Sequence, residues 1–205
     1  MQPQTTSPKR TQQGFSLVEV LISVIVLSFG MLGMVGLQAA SLKANRESRL
    51  QATAVRFGEE MGELMRSNKI TAVLTTSGAN PYLISSMTAT SPNCGYPISS
   101  AACTTPEAVA QRDVYEWLQR VNSELPGAKV AICEDSTPYT SDGLPQWACS
   151  NSGGTMVVKI GWTRSSTITG ASGTDATDTT SVNTGAFDKA LRPGVVLTVI
   201  AGSTS

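Results

Sequence analysis

Between Glu19 and Lys43 the chain carries no charge: positions 20–42 are 23 uncharged residues in a row. A helix needs about 20 mainly apolar residues to cross the hydrocarbon core of a bilayer, so this run is long enough to span one. Glu19 stands at its mouth, where a carboxylate costs roughly 2–3 kcal/mol or more unless it is paired or lies at the interface. That cost makes Glu19 a candidate functional residue. Ahead of it lies a short polar leader with Lys9 and Arg10, ending in Gly14 and followed by Phe15-Ser16-Leu17-Val18. An ordinary secretory signal has a shorter apolar core and a small-residue cut site after it. Here the glycine precedes the run, so a cut after Gly14 would keep the helix.

Gly14, Phe15, Glu19 and the apolar run fall in one register, with basic residues just before them. The arrangement resembles the class III signal of type IV pilins and of type II secretion pseudopilins. The resemblance implies cleavage after Gly14 by the prepilin peptidase and N-methylation of Phe15 by the same enzyme. It also implies that Glu19 pairs with the N-terminal amine of a neighbouring subunit. The chain then divides into a leader (1–14), a transmembrane or filament-core half of a long helix (15–42), and a periplasmic or extracellular head with the helix's amphipathic half (43–205).

The mature chain would run from Phe15 to Ser205, 191 residues. About 160 residues outside the span are the size of one domain with a real core. The chain has 15 basic and 15 acidic residues; loss of Lys9 and Arg10 with the leader leaves 13 against 15. That balance gives no electrostatic case for nucleic acid. Lys9 and Arg10 favour a cytoplasmic N-terminus, while Lys43, Arg46 and Arg49 beyond the span argue weakly the other way. We place the N-terminus inside because the remainder reads as exported. Four cysteines outside the span, Cys94, Cys103, Cys133 and Cys149, suggest two disulfides rather than buried thiols. Of three pairings, Cys94–Cys103 and Cys133–Cys149 are preferred, because each is close in sequence and brackets turn-forming residues. With no histidine and no CxxC spacing, a metal site is not expected.

From Phe15 to about Ser67 there is no proline, which predicts one helix of about 52 residues, roughly 80 Å long. Its first half is apolar all round. In its second half Leu50, Ala54, Phe57, Met61, Leu64 and Met65 keep helical spacing and predict a stripe against a globular head. Gly30, Gly33 and Gly36 recur inside the span; they suit close helix packing or local loosening of the helix, and are also common in membrane helices. Residues 69–104 read as loop, punctuated by prolines. Thr105-Pro106-Glu107 starts a second helix, with Thr105 as N-cap and Pro106 in the first turn. Its apolar face is Ala110, Val114, Trp117, Leu118, Val121 and Leu125, so Trp117 is expected in the core, with Arg112 and Arg120 solvated. Strands are predicted over 129–133, 155–163 and 194–201. In the second, Met156, Val158, Ile160 and Trp162 alternate with Val157, Lys159 and Thr163. Residues 165–188, rich in Thr, Ser, Gly and Asp, read as a long exposed loop. The expected fold is α+β and type IV pilin-like: a long N-terminal helix packed on a small antiparallel sheet of three or four strands, with a second short helix.

Trp117-Leu118, Glu124-Leu125-Pro126-Gly127, Ile132-Cys133-Glu134-Asp135 and Val158-Lys159-Ile160-Gly161-Trp162, in that order, resemble the PilV-type minor pilins, the type IV pilus modification proteins. Gly33-Met34 through Leu37-Gln38 resemble them too. The resemblance implies a structural subunit that helps initiate pilus assembly and contributes to a tip complex. It would wait in the inner membrane and then enter the pilus. Its implied partners are other minor pilins, the major pilin, the inner-membrane assembly platform, the prepilin peptidase and a large tip adhesin.

No catalytic constellation is present. Absence of histidine removes Ser-His-Asp and Cys-His designs, no GxxxxGK phosphate loop occurs, and no cofactor is expected. Glu134-Asp135, Asp142-Gly143 and Asp175/Asp178 do not follow EF-hand spacing and read as turn acids. Lys129, Lys159 and Arg164 are too few for a nucleic-acid strip. Two alternative readings stand beside the minor pilin: a tip adhesin or binding module using the cysteine loops or residues 165–188, and a minor pseudopilin of type II secretion.

Overall fold

A computed structural model of the chain describes residues 14, 16–76, 78–95, 99–152, 155–163 and 192–202. Phe15, Arg164, Asp175, Asp178 and the expected loop over 165–188 lie outside the described residues. In chain order the elements are α1 (Leu17–Ser67), α2 (Lys69–Ala72), α3 (Pro106–Glu124), β1 (Lys129–Asp135), β2 (Thr155–Gly161) and β3 (Val195–Val199). The chain falls into two compact units, Met1–Ala44 and Asn45–Ser205.

The first unit contains the apolar part of α1. Every large apolar side chain from Leu17 to Leu42 is exposed there, and α1 is long and apolar enough to cross a membrane. Two of its hydroxyls bond within the helix: Ser23 Oγ donates to the Glu19 carbonyl and Ser28 Oγ to the Val24 carbonyl, both at 2.7 Å. Such back-bonding removes the cost of carrying a free hydroxyl into lipid.

The second unit has its core between the remainder of α1, helix α3 and the sheet. From α1, Ala54, Phe57, Met61 and Met65 are buried, with Leu50 and Leu64 half-buried beside them. Two residues outside the predicted stripe, Gly58 and Gly62, are also buried. A Cβ on Gly58 would stand 2.2 Å from Leu197 Cδ1, and one on Gly62 3.4 Å from Val199 Cγ1. Helix α1 thus lies close against β3 because glycines face it.

Helix α3 starts as expected. Thr105 Oγ1 accepts the Ala108 amide at 3.2 Å and Pro106 opens the first turn. Trp117 is fully buried; its Nε1 donates to the Phe57 carbonyl at 3.1 Å, and its ring meets Phe57 edge-on with centroids 6.1 Å apart. The arginines of α3 are not simply solvated. Arg120 pairs with Glu60 of α1, and Arg112 pairs with Asp113 at 2.8 Å. Each has an acidic neighbour that helical spacing alone does not reveal.

The sheet has the order β1-β2-β3, antiparallel throughout, with Ile132 opposite Val158 and Val158 opposite Leu197. Three strands are present among the described residues. The expected alternation in β2 gives way to burial of every residue from Met156 to Gly161. As the central strand, β2 is covered on both faces, so Lys159 is carried inside. Trp162, also buried, donates its Nε1 hydrogen to Glu47 Oε1 at 3.2 Å.

The stretch read as loop over 69–104 holds the short helix α2 and a bridge from Ile84 to Ile132 of β1. Buried Asn80 organises it: its Nδ2 donates to the carbonyls of Ala72 and Leu74, and its Oδ1 accepts the Tyr82 amide at 3.0 Å. The Tyr82 hydroxyl sits 3.3 Å from the Leu64 carbonyl and 3.4 Å from Asp113 Oδ2. Burial, and then the Asp113 charge, push the Tyr82 phenol well above its ordinary range.

Candidate functional site

The N-terminal candidate residues precede and open α1. Gly14 is exposed, and nothing among the described residues lies within 4 Å of where its Cβ would be. Ser16 starts the helix: its carbonyl accepts the amides of Glu19 at 3.0 Å and Val20 at 3.3 Å. Its hydroxyl is 3.4 Å from the Val18 amide. Glu19 is exposed in the first helical turn, where an anion complements the positive end of the helix dipole. Its side chain is therefore accessible to a group outside the chain.

The four cysteines pair as Cys94–Cys103 and Cys133–Cys149, with Cα separations of 5.0 and 6.3 Å. Both separations suit a disulfide. The first closes a loop whose Gly95 has φ +86° and packs where a Cβ would meet the Arg112 side chain at 2.5 Å. The second ties Cys133 of β1 to Cys149 and so closes the segment between them, which includes residues 136–148. A small turn forms there, with Thr140 N bonded to Leu144 O at 2.8 Å. Trp147 lies under the Lys129 ammonium, 4.4 Å from the ring centroid.

Beside that disulfide stands a pair that the sequence reading did not bring together. Asp135, expected in a turn, is the last residue of β1, and its side chain is fully buried against the fully buried Lys159. Lys159 Nζ donates to Asp135 Oδ2 at 2.5 Å and to the Ala148 carbonyl at 2.6 Å. Asp135 Oδ1 accepts the amides of Thr137 at 2.9 Å and Ser150 at 3.3 Å. Burial raises the Asp135 carboxyl. The bonds from Lys159, Thr137 and Ser150 outweigh it and hold the group below the usual carboxylate range. The only sequence signal was a lysine inside an otherwise apolar strand. Cys133, Asp135 and Cys149 bring potential ligand atoms within 4.8 Å of one another, but the sulfurs are joined to each other and the carboxylate is taken by Lys159.

This arrangement packs the end of β1 against β2 and the segment that reaches Ala148. Within the first unit, the N-terminal segment carries an accessible glycine and an exposed carboxylate ahead of an apolar helix. Residues 9–35 match the model of the prokaryotic N-terminal methylation motif. No curated protein and no solved structure matches the chain. The motif implies assembly with other pilins and the pilus machinery generally, and with the apolar helix it fits a membrane-anchored subunit that becomes incorporated into a pilus. The motif at residues 9–35, the long helix and the small antiparallel three-stranded sheet together fit the type IV pilin-like α+β fold, and the motif supports a pilin or pseudopilin role.

Proposed function

We propose that the chain is a minor pilin of a type IV pilus, of the PilV type, that helps initiate assembly and contributes to the tip complex. The observation that carries this is the register of Gly14 and Glu19 within the methylation motif, directly ahead of the apolar run. The scattered likeness from Trp117-Leu118 to Val158-Lys159-Ile160-Gly161-Trp162 supports the minor-pilin class over a pseudopilin. In this reading the prepilin peptidase cuts after Gly14 and methylates Phe15. The processed chain waits in the inner membrane with its N-terminus cytoplasmic. Glu19 then meets the N-terminal amine of a neighbour as the subunit joins other minor pilins, the major pilin and the assembly platform. Desolvation favours that contact: a carboxylate moving into a packed apolar filament core requires a cation, and a fresh N-terminus supplies one.

The test is intact-mass and N-terminal analysis of the protein from membranes with and without the peptidase. A chain starting at methylated Phe15 only when the peptidase is present is expected; an uncut chain starting at Met1 in both would overturn the reading. Glu19→Ala should be processed normally yet be missing from sheared pili. Normal amounts of that variant in pili would remove the pairing role.

A further inference from the structure

Beyond the apolar run, α1 carries a basic pair that the pilin role does not use. Arg46 and Arg49 are exposed, and among the described residues neither forms an ion pair or hydrogen bond. They are three residues apart, so about 60° separates them around the helix and they share one side. The nearby acid, Glu47, projects about 100° away from Arg46, and its carboxylate accepts the Trp162 indole hydrogen. It is thus turned toward the folded head rather than toward the arginines.

Position along the helix decides what such a pair meets. At 1.5 Å per residue, Arg46 stands about 6 Å and Arg49 about 10 Å beyond Leu42, the last residue of the uncharged run. The headgroup layer is about 5–8 Å thick on each side of a bilayer core, and an arginine can reach back along its own stem to place the guanidinium in it. With the N-terminus cytoplasmic, these cations lie on the exported side, against the usual bias of basic residues. An anionic lipid surface would offset that bias, since each cation near it gains about 1 kcal/mol, roughly fivefold in affinity. Guanidinium also binds phosphate in a two-pronged manner that an ammonium does not.

We propose that Arg46 and Arg49 form a binding surface for the phosphate of anionic phospholipid headgroups in the exported leaflet, holding the unassembled subunit at the interface. The proposal rests on the membrane-anchored reading, and the test separates the two. The full chain is reconstituted in phosphatidylcholine bilayers with a trace of spin-labelled phosphatidylglycerol or spin-labelled phosphatidylcholine, and the relative association of the two probes with the protein is read from the immobilised spectral component. Wild type should prefer phosphatidylglycerol, less so at high salt. R46Q/R49Q should lower the preference by about fivefold for each arginine removed, and R46K/R49K, which keeps the charge and loses the two-pronged geometry, should fall between wild type and R46Q/R49Q. An unchanged preference in R46Q/R49Q would overturn the proposal. Unchanged lipid preference with lost co-purification of other pilins would overturn it too, and assign the pair to a protein partner. Absence of any immobilised component in wild type would instead overturn the membrane anchor itself.

Discussion

Lys159 Nζ lies 2.5 Å from Asp135 Oδ2, with both side chains fully buried. The pair joins the end of β1 to the middle of β2, and through the Ala148 carbonyl it reaches the segment closed by Cys133–Cys149. Removing one partner strands the other charge away from water, which costs about 3–5 kcal/mol, whereas replacing both with apolar groups of similar volume is often neutral. Lys159→Met should therefore lower the unfolding free energy by about that amount, and Lys159→Met with Asp135→Leu by clearly less. Denaturant unfolding of the purified chain measures both; equal losses in the two variants would show that the charges are not coupled.

The acid dependence follows from the same carboxylate. Its folded value lies below the unfolded one, chiefly because the bonds from Lys159, Thr137 and Ser150 outweigh burial. A depressed carboxylate contributes stability that is fully present above the unfolded value near pH 4 and is lost as the pH falls through the folded value. Thermal unfolding should thus be insensitive to this group at neutral pH and fall off below about pH 4. Asp135→Asn should flatten that acid limb. An acid limb as steep in the variant as in wild type would assign the loss to other carboxylates.

Gly58 and Gly62 should respond in opposite ways to alanine. Gly58→Ala drives a methyl to 2.2 Å from Leu197 Cδ1, so the leucine must leave its position; overpacking of this kind costs about 1–3 kcal/mol. Gly62→Ala meets Val199 Cγ1 at an ordinary 3.4 Å and gains up to about 1 kcal/mol of helix propensity. Melting temperatures of the two variants test the contrast, and Leu197→Ala should relieve the cost of Gly58→Ala. Equal effects at both glycines would mean that α1 does not seat on β3 as described.

The two disulfides close loops with sequence separations of 9 and 16. On the chain-entropy account a loop of about 15 residues is worth roughly 3 kcal/mol, and a shorter one somewhat less. Cys133→Ser with Cys149→Ser should therefore destabilise more than Cys94→Ser with Cys103→Ser. Loss of the longer loop also frees the residues that hold Asp135. Unfolding in denaturant measures the order; the reverse order would mean that the Cys94–Cys103 loop carries packing of its own.

Local signals along the chain were enough for the elements that obey one periodicity. The uncharged run over 20–42 made a helix of membrane length, the cap at Thr105-Pro106 placed the start of α3, and the three strands fell where β-branched residues cluster. The N-terminal motif was legible for the same reason: it is a matter of spacing along one continuous segment, residues 9–35. The disulfide pairings and the buried stripe of α1 were legible too; what escaped were particular contacts between residues distant in sequence. Lys159 looked like one side of an alternating strand until β1 and β3 flanked β2 and left it no route to water. Asp135 looked like a turn acid until the strand ran two residues further than its apolar stretch. Gly58 and Gly62 carry no side chain to pattern, so only the approach of β3 gives them a meaning. The sequence by itself determined which stretch is long and apolar enough to cross a membrane and where the two long helices begin. The tertiary structure decided which charges are buried, because burial depends on what a strand is packed between rather than on the residues it contains.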